Sequence, residues 1–532
     1  MPAGPLRRRT ASARSDSEGG SEVCAIAGVW GRNDRALVRR MLGKMAHRGP
    51  DGSGLFDGAG VTLGHRRLSI IDLETGGQPM ESADSEHVIA FNGEIYNYRE
   101  LRPRLTGHEF ASRSDTEVLL HGLEEWGPRF LPMCRGMFAF ALVGPDGLLL
   151  ARDPLGVKPL YYATEGGAFA FASEIKGLLP FSSHVREFPN ASYLHLPRGA
   201  PPRRRPLPFR RFYRLPRAAG EKRPARSAAA GVERRLTTAV RRRLVADVPV
   251  ASFLSGGLDS SFVSALASAE HPRIETFSCG MEGSEDERFA RMAAEHLGTH
   301  HRHREYAEDE VIARLPEVIR FLESFDPALV RSAVPNFFVS EASAPRAKVV
   351  LTGEGADELF AGYDYLRALP RRRLHGELVR ITAELHNRNL QRGDRMTMAN
   401  SQEGRVPFLD VDLVDFALPL PDDLKMPRGG AAPSKWVLRK VASRWLPKAV
   451  VERPKLKFSA GAGSSDVLAR HAERSIGNRA FARAVARARV PLRSKEELLY
   501  YRLFQREFGS LAPEGLIGIT EDYGTRARGS AA

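Results

Sequence analysis

Cysteine is scarce in this sequence. The three that occur, Cys24, Cys134 and Cys279, are too few and too far apart for a disulfide framework or a zinc cluster, so any functional cysteine acts singly. Long apolar runs are missing too, and no segment approaches the roughly 20 residues of a membrane-spanning helix. The first 22 residues hold Arg7, Arg8 and Arg9 with no apolar stretch behind them, which argues against a secretory signal. The expected compartment is the cytoplasm, with no membrane partner.

Acidic residues fall short of basic ones, 64 against 79, and the formal net charge is +15. The surplus is local: over residues 198–243, 16 Lys and Arg face only Glu221 and Glu233, a net +14 in 46 residues. The remainder of the chain is nearly neutral. Phe209, Phe212 and Tyr213 are too few aromatics to interleave with bases, so nucleic acid is not expected as a partner. The proline-rich part, 198–225, reads as a solvated interdomain linker running into a helix with a basic face.

At 532 residues the chain exceeds one ordinary core. In 24–197, short apolar runs at 26–30, 87–91, 137–143, 148–151 and 168–172 between glycine-rich turns predict many strands, with helices near 35–46 and 116–126. In 226–512, helical periods alternate with strands at 250–254, 275–279 and 348–351. None of these alternates strictly, as a buried parallel sheet requires. After Leu409 the pattern is mostly helical.

Residues 255–261, Ser-Gly-Gly-Leu-Asp-Ser-Ser, lie between a buried strand and a helix. Glycines let the backbone approach an anion, Ser255, Ser260 and Ser261 supply hydroxyls, and the helix start adds its positive end. A plain turn with a serine cap would look similar. The loop has no lysine, so it is not the common nucleotide P-loop. It resembles the pyrophosphate loop of enzymes that adenylate a substrate with ATP. A second polar loop, Thr352-Gly-Glu-Gly-Ala-Asp-Glu358, also follows a strand, where open α/β sheets bind ligands. Its acids are either a solvated helix cap or, with Asp259, a magnesium and base site.

In the first half, Cys24-Ala-Ile-Ala-Gly28, His47-Arg-Gly-Pro-Asp-Gly52, Gly64-His-Arg-Arg-Leu-Ser-Ile-Ile-Asp72, Phe91-Asn-Gly-Glu-Ile-Tyr-Asn97 and Ser114-Asp-Thr-Glu117 occur in that order. They resemble the class II glutamine amidotransferase domain of the N-terminal-nucleophile family. In the second half, 255–261, 352–358, Asp394-Arg-Met-Thr-Met-Ala399 and Arg405-Val-Pro-Phe-Leu-Asp410 resemble the synthetase domain of the glutamine-hydrolysing asparagine synthetase family. The resemblance implies an α+β N-terminal-nucleophile αββα sandwich at 24–197. An α/β pyrophosphate-loop domain of the adenine nucleotide α-hydrolase type, with a helical C-terminal part, is implied at 226–512, followed by a tail at 513–532.

It also implies roles. Cys24 would attack the side-chain amide of glutamine, with Asn92 and the backbone N–H of Gly93 as oxyanion hole. Arg67 would grip the substrate carboxylate, Glu94 and Asp115 its ammonium group, and Leu68, Ser69, Ile70 and Ile71 would line the pocket. ATP would lie across Leu254, Ser255, Gly256, Gly257, Asp259, Ser260, Ser261, Cys279, Thr352 and Gly353. Asp259 and Asp357 would hold Mg2+, Lys455 and Arg331 would stabilise developing charge, and Glu354 would deprotonate the attacking ammonia. Cys279 would be a wall of the adenine pocket. The substrates implied are glutamine, aspartate and ATP; a homodimer stays open. A rival keeps this machinery and changes the acid, to a natural-product or peptide carboxylate.

Two departures stand out. The glutaminase chemistry uses the α-amine of the cysteine as base, yet 23 residues precede Cys24. We expect these residues to be untranslated or removed, most simply by initiation at Val23 on a GTG codon. Ala25 stands where the family usually has glycine, and is expected to be tolerated.

Overall fold

The computed structural model describes residues 24–520, apart from 59, 200–205, 218–219, 221–222, 429–432, 489, 510 and 512–514. The expectations for 1–23 and for 521–532 lie outside the described residues.

Two six-stranded antiparallel sheets are stacked in the first half. One runs in the order Arg186–Glu187, Tyr161–Glu165, Ala168–Ala172, Ala25–Trp30, Val61–Arg67, Gly52–Gly58; the other runs Arg210–Arg211, Ser192–Pro197, Gly147–Arg152, Gly136–Gly144, Val88–Ile95, Met80–Glu81. Because side chains alternate along a strand, each strand feeds two layers. Ile26 and Trp30 meet Ala90, Ala139 and Leu150 between the sheets. Their neighbours Ala25, Ala27 and Val29 pack outward on Leu37, Val38 and Met41 of the helix Arg35–Lys44. Phe91, Phe138 and Phe140 pack outward on Val118 and Leu119 of the helix Asp115–Trp126. The result is the expected αββα sandwich. Each large side chain buried this way contributes about 1.5–3 kcal/mol.

The second half holds a parallel sheet in the order His300–Glu305, Glu275–Gly280, Val250–Phe253, Val349–Leu351, Glu403–Arg405, with helices around it. The chain first builds outward from Val250–Phe253 on one side and then returns to the other. The order therefore reverses between Val250–Phe253 and Val349–Leu351, and loops after both strands open into that crevice. The strands His300–Glu305 and Glu403–Arg405 have no sequence signature, since both are edges built largely from charged residues and histidine.

Within 198–225 the described residues are exposed or half-buried, and several are anchored to their neighbours. Arg210–Arg211 pairs with Ser192–Tyr193 as an edge strand, and the Phe209 ring lies 5.0 Å from that of Phe188. Tyr213 Oη donates to Asp415. The helix Ala225–Arg243 buries Val232, Leu236 and Val240, while Arg241, Arg242 and Arg243 pair with Glu270, Asp412 and Asp410. The aromatic side chains supply the burial that the charge count concealed.

Candidate active sites

Cys24 stands at the entrance to the central strand Ala25–Trp30 and borders a small, mostly polar cavity open to solvent. Arg67, Leu68, Ile70, Ile71, Gly93, Glu94 and Asp115 line the same cavity, joined by Glu403 from the second half. The structure thus collects most of the first set of predicted residues in one place. The Sγ of Cys24 accepts from Leu68 N–H at 3.1 Å and faces Leu68 O at 3.6 Å. Burial pushes its thiol up to about 12, against the opposing hydrogen bond from Leu68. It is therefore protonated at neutral pH and needs a base to act.

Asn92 is fully buried; its Nδ2 lies 3.5 Å from Ser173 Oγ, and its Oδ1 has no hydrogen-bond partner among the described residues. Ser173 Oγ also accepts from Ile26 N–H at 2.9 Å, so it ties the Asn92 side chain to the strand that begins beside Cys24. Sequence reasoning missed Ser173, which has no motif of its own. Gly93 has φ +153°, and a Cβ there would sit 2.1 Å from Met137 O, so only glycine fits. Ser69 N–H donates to Asp51, which fixes the 68–71 wall.

Arg67 is held in the wall by donating to Asp72 O at 2.6 Å and Leu73 O at 3.1 Å. Opposite it, burial and then the charge of Asp115 raise the Glu94 carboxyl well above its ordinary value. Asp115 opens its helix beside the cap Ser114 and accepts from Ile95 N–H at 2.8 Å, yet burial still pushes its carboxyl up to about 7. Two acids with raised values facing one cavity are poised for a cationic group.

The second site occupies the crevice of the parallel sheet. Gly256 turns at φ +70°, where a Cβ would strike the Phe289–Ala290 backbone at 2.4 Å, and Gly257 caps the helix Leu258–Glu270. Ser260 Oγ holds the loop closed through Ser255 N–H and Ser255 Oγ, at 3.2 and 2.9 Å. Gly353 of the neighbouring loop crosses directly over Asp259 and Ser260. Leu254 and Cys279 are buried, and Cys279 Sγ faces Pro335 O at 3.0 Å. Burial raises that thiol.

The oxygens of these two loops that are buried without a hydrogen-bond partner among the described residues include Ser261 Oγ, Thr352 Oγ1 and Asp259 Oδ1. Buried polar atoms are rarely left so unless a ligand completes them. Around them, Lys435 Nζ lies 2.5 Å from both Asp259 and Asp357, and Lys455 Nζ lies 2.7 Å from Asp357. Burial alone would raise the Asp357 carboxyl, but the two lysines outweigh it and hold it well below its usual range. Lys435 is 2% exposed and sits at φ +59°, a conformation that costs energy for a side chain of this kind. No signal around Lys435 marked it in the sequence.

Glu354 is paired with Arg392 and Glu358 with Tyr363. Burial, then the charge of Asp357, pushes the Glu358 carboxyl up to about 7. Arg331 does not reach this cluster through any contact in the structure; its guanidinium is engaged by Glu496, with Nε at 2.7 Å. Arg453, two residues before Lys455, donates to Ser255 O and Asp286 and so braces the glycine loop.

The two sites are joined by buried charge. Arg48 donates to Cys24 O at 3.2 Å and, bidentately, to Asp394 at 2.6 and 3.0 Å. Lys158 pairs with Glu403 at 2.8 Å, and Arg405 Nη2 lies 3.3 Å from Glu94. Arg405 also accepts from Thr352 N–H through its carbonyl at 2.9 Å, so one residue touches both sites. A small apolar cluster of Leu68, Ile70, Val349 and Met398 seals the same boundary.

A glutamine amidotransferase domain profile matches residues 23–215, and an asparagine synthase profile matches 231–380 and 368–515. Asparagine synthetase [glutamine-hydrolyzing] 1 of Arabidopsis thaliana is 34% identical over 517 residues, 91% of this chain and 87% of that protein. Asparagine synthetase B [glutamine-hydrolyzing] of Escherichia coli (strain K12) is 35% identical over 524 residues, 91% of each chain. Asparagine synthetase [glutamine-hydrolyzing] of Asparagus officinalis is 35% identical over 518 residues, 91% of this chain and 86% of that protein. With both domain profiles matched in order and that identity sustained along nearly the whole length, this chain belongs to the glutamine-hydrolysing asparagine synthetase family.

Proposed function

We propose that this protein converts aspartate to asparagine with ATP, drawing nitrogen from glutamine hydrolysed at Cys24. The observation that carries the ATP half is the trio of unpartnered buried oxygens on Ser261, Thr352 and Asp259, set among lysines at the crevice of the parallel sheet. Aspartate's β-carboxylate attacks the α-phosphate of ATP, forming β-aspartyl-AMP and releasing pyrophosphate. Ammonia then displaces AMP, and Glu354 takes the proton it sheds. Lys435 and Lys455 offset the negative charge that gathers on the departing pyrophosphate.

Mg2+ suits the donors present, since Asp259 Oδ1 is a buried oxygen without a partner and Asp357 is held ionised beside it. When bound by these two carboxylates, the ion would supply further charge neutralisation on the phosphates. The assay that tests the whole reading is pyrophosphate release with ATP and ammonium, with and without aspartate. Turnover that ignores aspartate would overturn the choice of acid.

In the glutaminase half, the thiol of Cys24 loses its proton to its own α-amine, whose ordinary value near about 8 lies far closer to neutrality than the buried thiol's. The thiolate attacks the glutamine amide carbon, the C–N bond breaks, and ammonia leaves; water then hydrolyses the thioester to glutamate. Asn92 and Gly93 N–H take the oxyanion. Intact-mass measurement of the native protein is expected to find Cys24 as its first residue. Retention of Met1 or Pro2 would leave the nucleophile without its base and remove glutamine as donor.

Glu94 and Asp115 receive the substrate's ammonium as carboxylates, and Asp115 titrates near neutrality in the free site. Below that point the proton must be expelled before the cation can bind, so affinity falls as pH falls. The KM for glutamine is expected to rise about tenfold from about pH 8 to about pH 6, over and above the fall in kcat that comes from protonating the Cys24 α-amine. A KM that is flat across this range would remove Asp115 from the binding site.

A further inference from the structure

A second cluster of ligand-bearing side chains lies in the first half, outside both sites. His121 and Glu124 project from one face of the helix Asp115–Trp126, being three residues apart. His108 reaches them from the loop that precedes this helix. His121 Nδ1 lies 2.6 Å and His108 Nδ1 3.5 Å from the same oxygen, Glu124 Oε2. The two imidazoles are stacked with ring centres 4.4 Å apart, and one donor atom from each of the three residues lies within 4.8 Å of the others.

The distal nitrogens are what separate this cluster from an ordinary surface group. His121 Nε2 is buried without a hydrogen-bond partner among the described residues, and lies 3.8 Å from Glu117 Oε1. His108 Nε2 lies 3.6 Å from Glu125 Oε2. Glu124 Oε1 in turn faces His87 Nδ1 at 3.3 Å. Carboxylates thus stand within about 4 Å of each distal nitrogen, close enough to orient the rings once a metal holds the inner ones.

We propose that His108 Nδ1, His121 Nδ1 and Glu124 Oε2 form a binding site for a single Zn2+ ion, completed by water. Two imidazoles and one carboxylate suit Zn2+ better than Mg2+ or Ca2+, which take oxygen donors. Donors bonded at about 2.0–2.1 Å to a tetrahedral ion stand about 3.4 Å apart. The His108–Glu124 separation already matches that spacing, and the His121–Glu124 pair needs only to open slightly. The ion also brings positive charge to a pocket that faces Glu117, Glu124 and Glu125. Entry is open from solvent, since the side chain of His108 is 22% exposed.

Occupancy would pin the loop before Asp115 onto the helix that Asp115 begins. Glu117 already holds that loop through the N–H groups of Ala111 and Ser112, both at 2.7 Å. The metal would add a second clamp one turn further along, away from the glutamine cavity.

The test uses the full chain, carrying Cys24→Ser to remove a competing thiol, stripped with a chelator and titrated with Zn2+ alone by calorimetry. One equivalent per chain is expected, together with a rise in the unfolding temperature. His108→Gln, a partly exposed loop position, is expected to weaken that binding at least about tenfold, and His108→Gln with His121→Gln to abolish it. Binding that is absent from the parent, or equally tight in His108→Gln, would overturn the site. The single variant keeps the test decisive should the double variant fail to fold.

Discussion

Replacing Cys24 with alanine is expected to lower glutamine-dependent asparagine formation by about 10⁴-fold or more while leaving ammonium-dependent formation within about twofold. The substitution deletes the only atom that forms the thioester, and the hydrogen bonds it removes go only to the Leu68 backbone, so the wall of the cavity stays in place. Asn92→Ala should act on the same branch alone, costing about 10²–10³ in kcat with glutamine, the usual effect of deleting one oxyanion donor. Both donors should be assayed on one preparation by asparagine and pyrophosphate formation. Equal loss with glutamine and with ammonium would refute two separate sites, and retained glutamine turnover in Cys24→Ala would remove the nucleophile.

Lys435→Met should show the opposite pattern, with synthesis from either nitrogen donor falling by about 10³-fold while glutamine hydrolysis persists. Lys435 neutralises Asp259 and Asp357 at once, so its loss leaves two carboxylates facing each other and the incoming phosphates. Removing one partner of a buried ion pair also costs about 3–5 kcal/mol of stability, and glutaminase activity in the same sample reports whether the chain is still folded. Asp357→Asn is the gentler companion, keeping shape and removing one charge; it should spare folding and still impair synthesis. Unimpaired pyrophosphate release in Lys435→Met would show that the pairing is merely structural.

Much of this was legible before any coordinates. The strands at 26–30 and 250–254 and the helix at 116–126 announce themselves because a strand buried on both faces is a short unbroken apolar run and an amphipathic helix repeats its apolar residues at a fixed period. The glycine loops were readable because few other residues tolerate φ above zero or so close a backbone approach, as Gly93 and Gly256 show. The charged edge strands His300–Glu305 and Glu403–Arg405 were not, since their pairing comes from neighbours and not from their own pattern. Counting arginines likewise says nothing about which acids will face them, as Arg241, Arg242 and Arg243 show.

The sequence alone determined the order of the two halves, the glycine-rich loop at 255–261, and the cysteine and acids that line the cavity beside Cys24. These depend on residue type and local spacing, which survive in one dimension. Only the tertiary structure decided that Arg48 of one motif clasps Asp394 of another, that Lys435 stands between Asp259 and Asp357, and that Arg405 touches both sites. Those are pairings of buried charges far apart along the chain. A charge enters a protein interior only where a partner waits, and the partner is chosen by the fold.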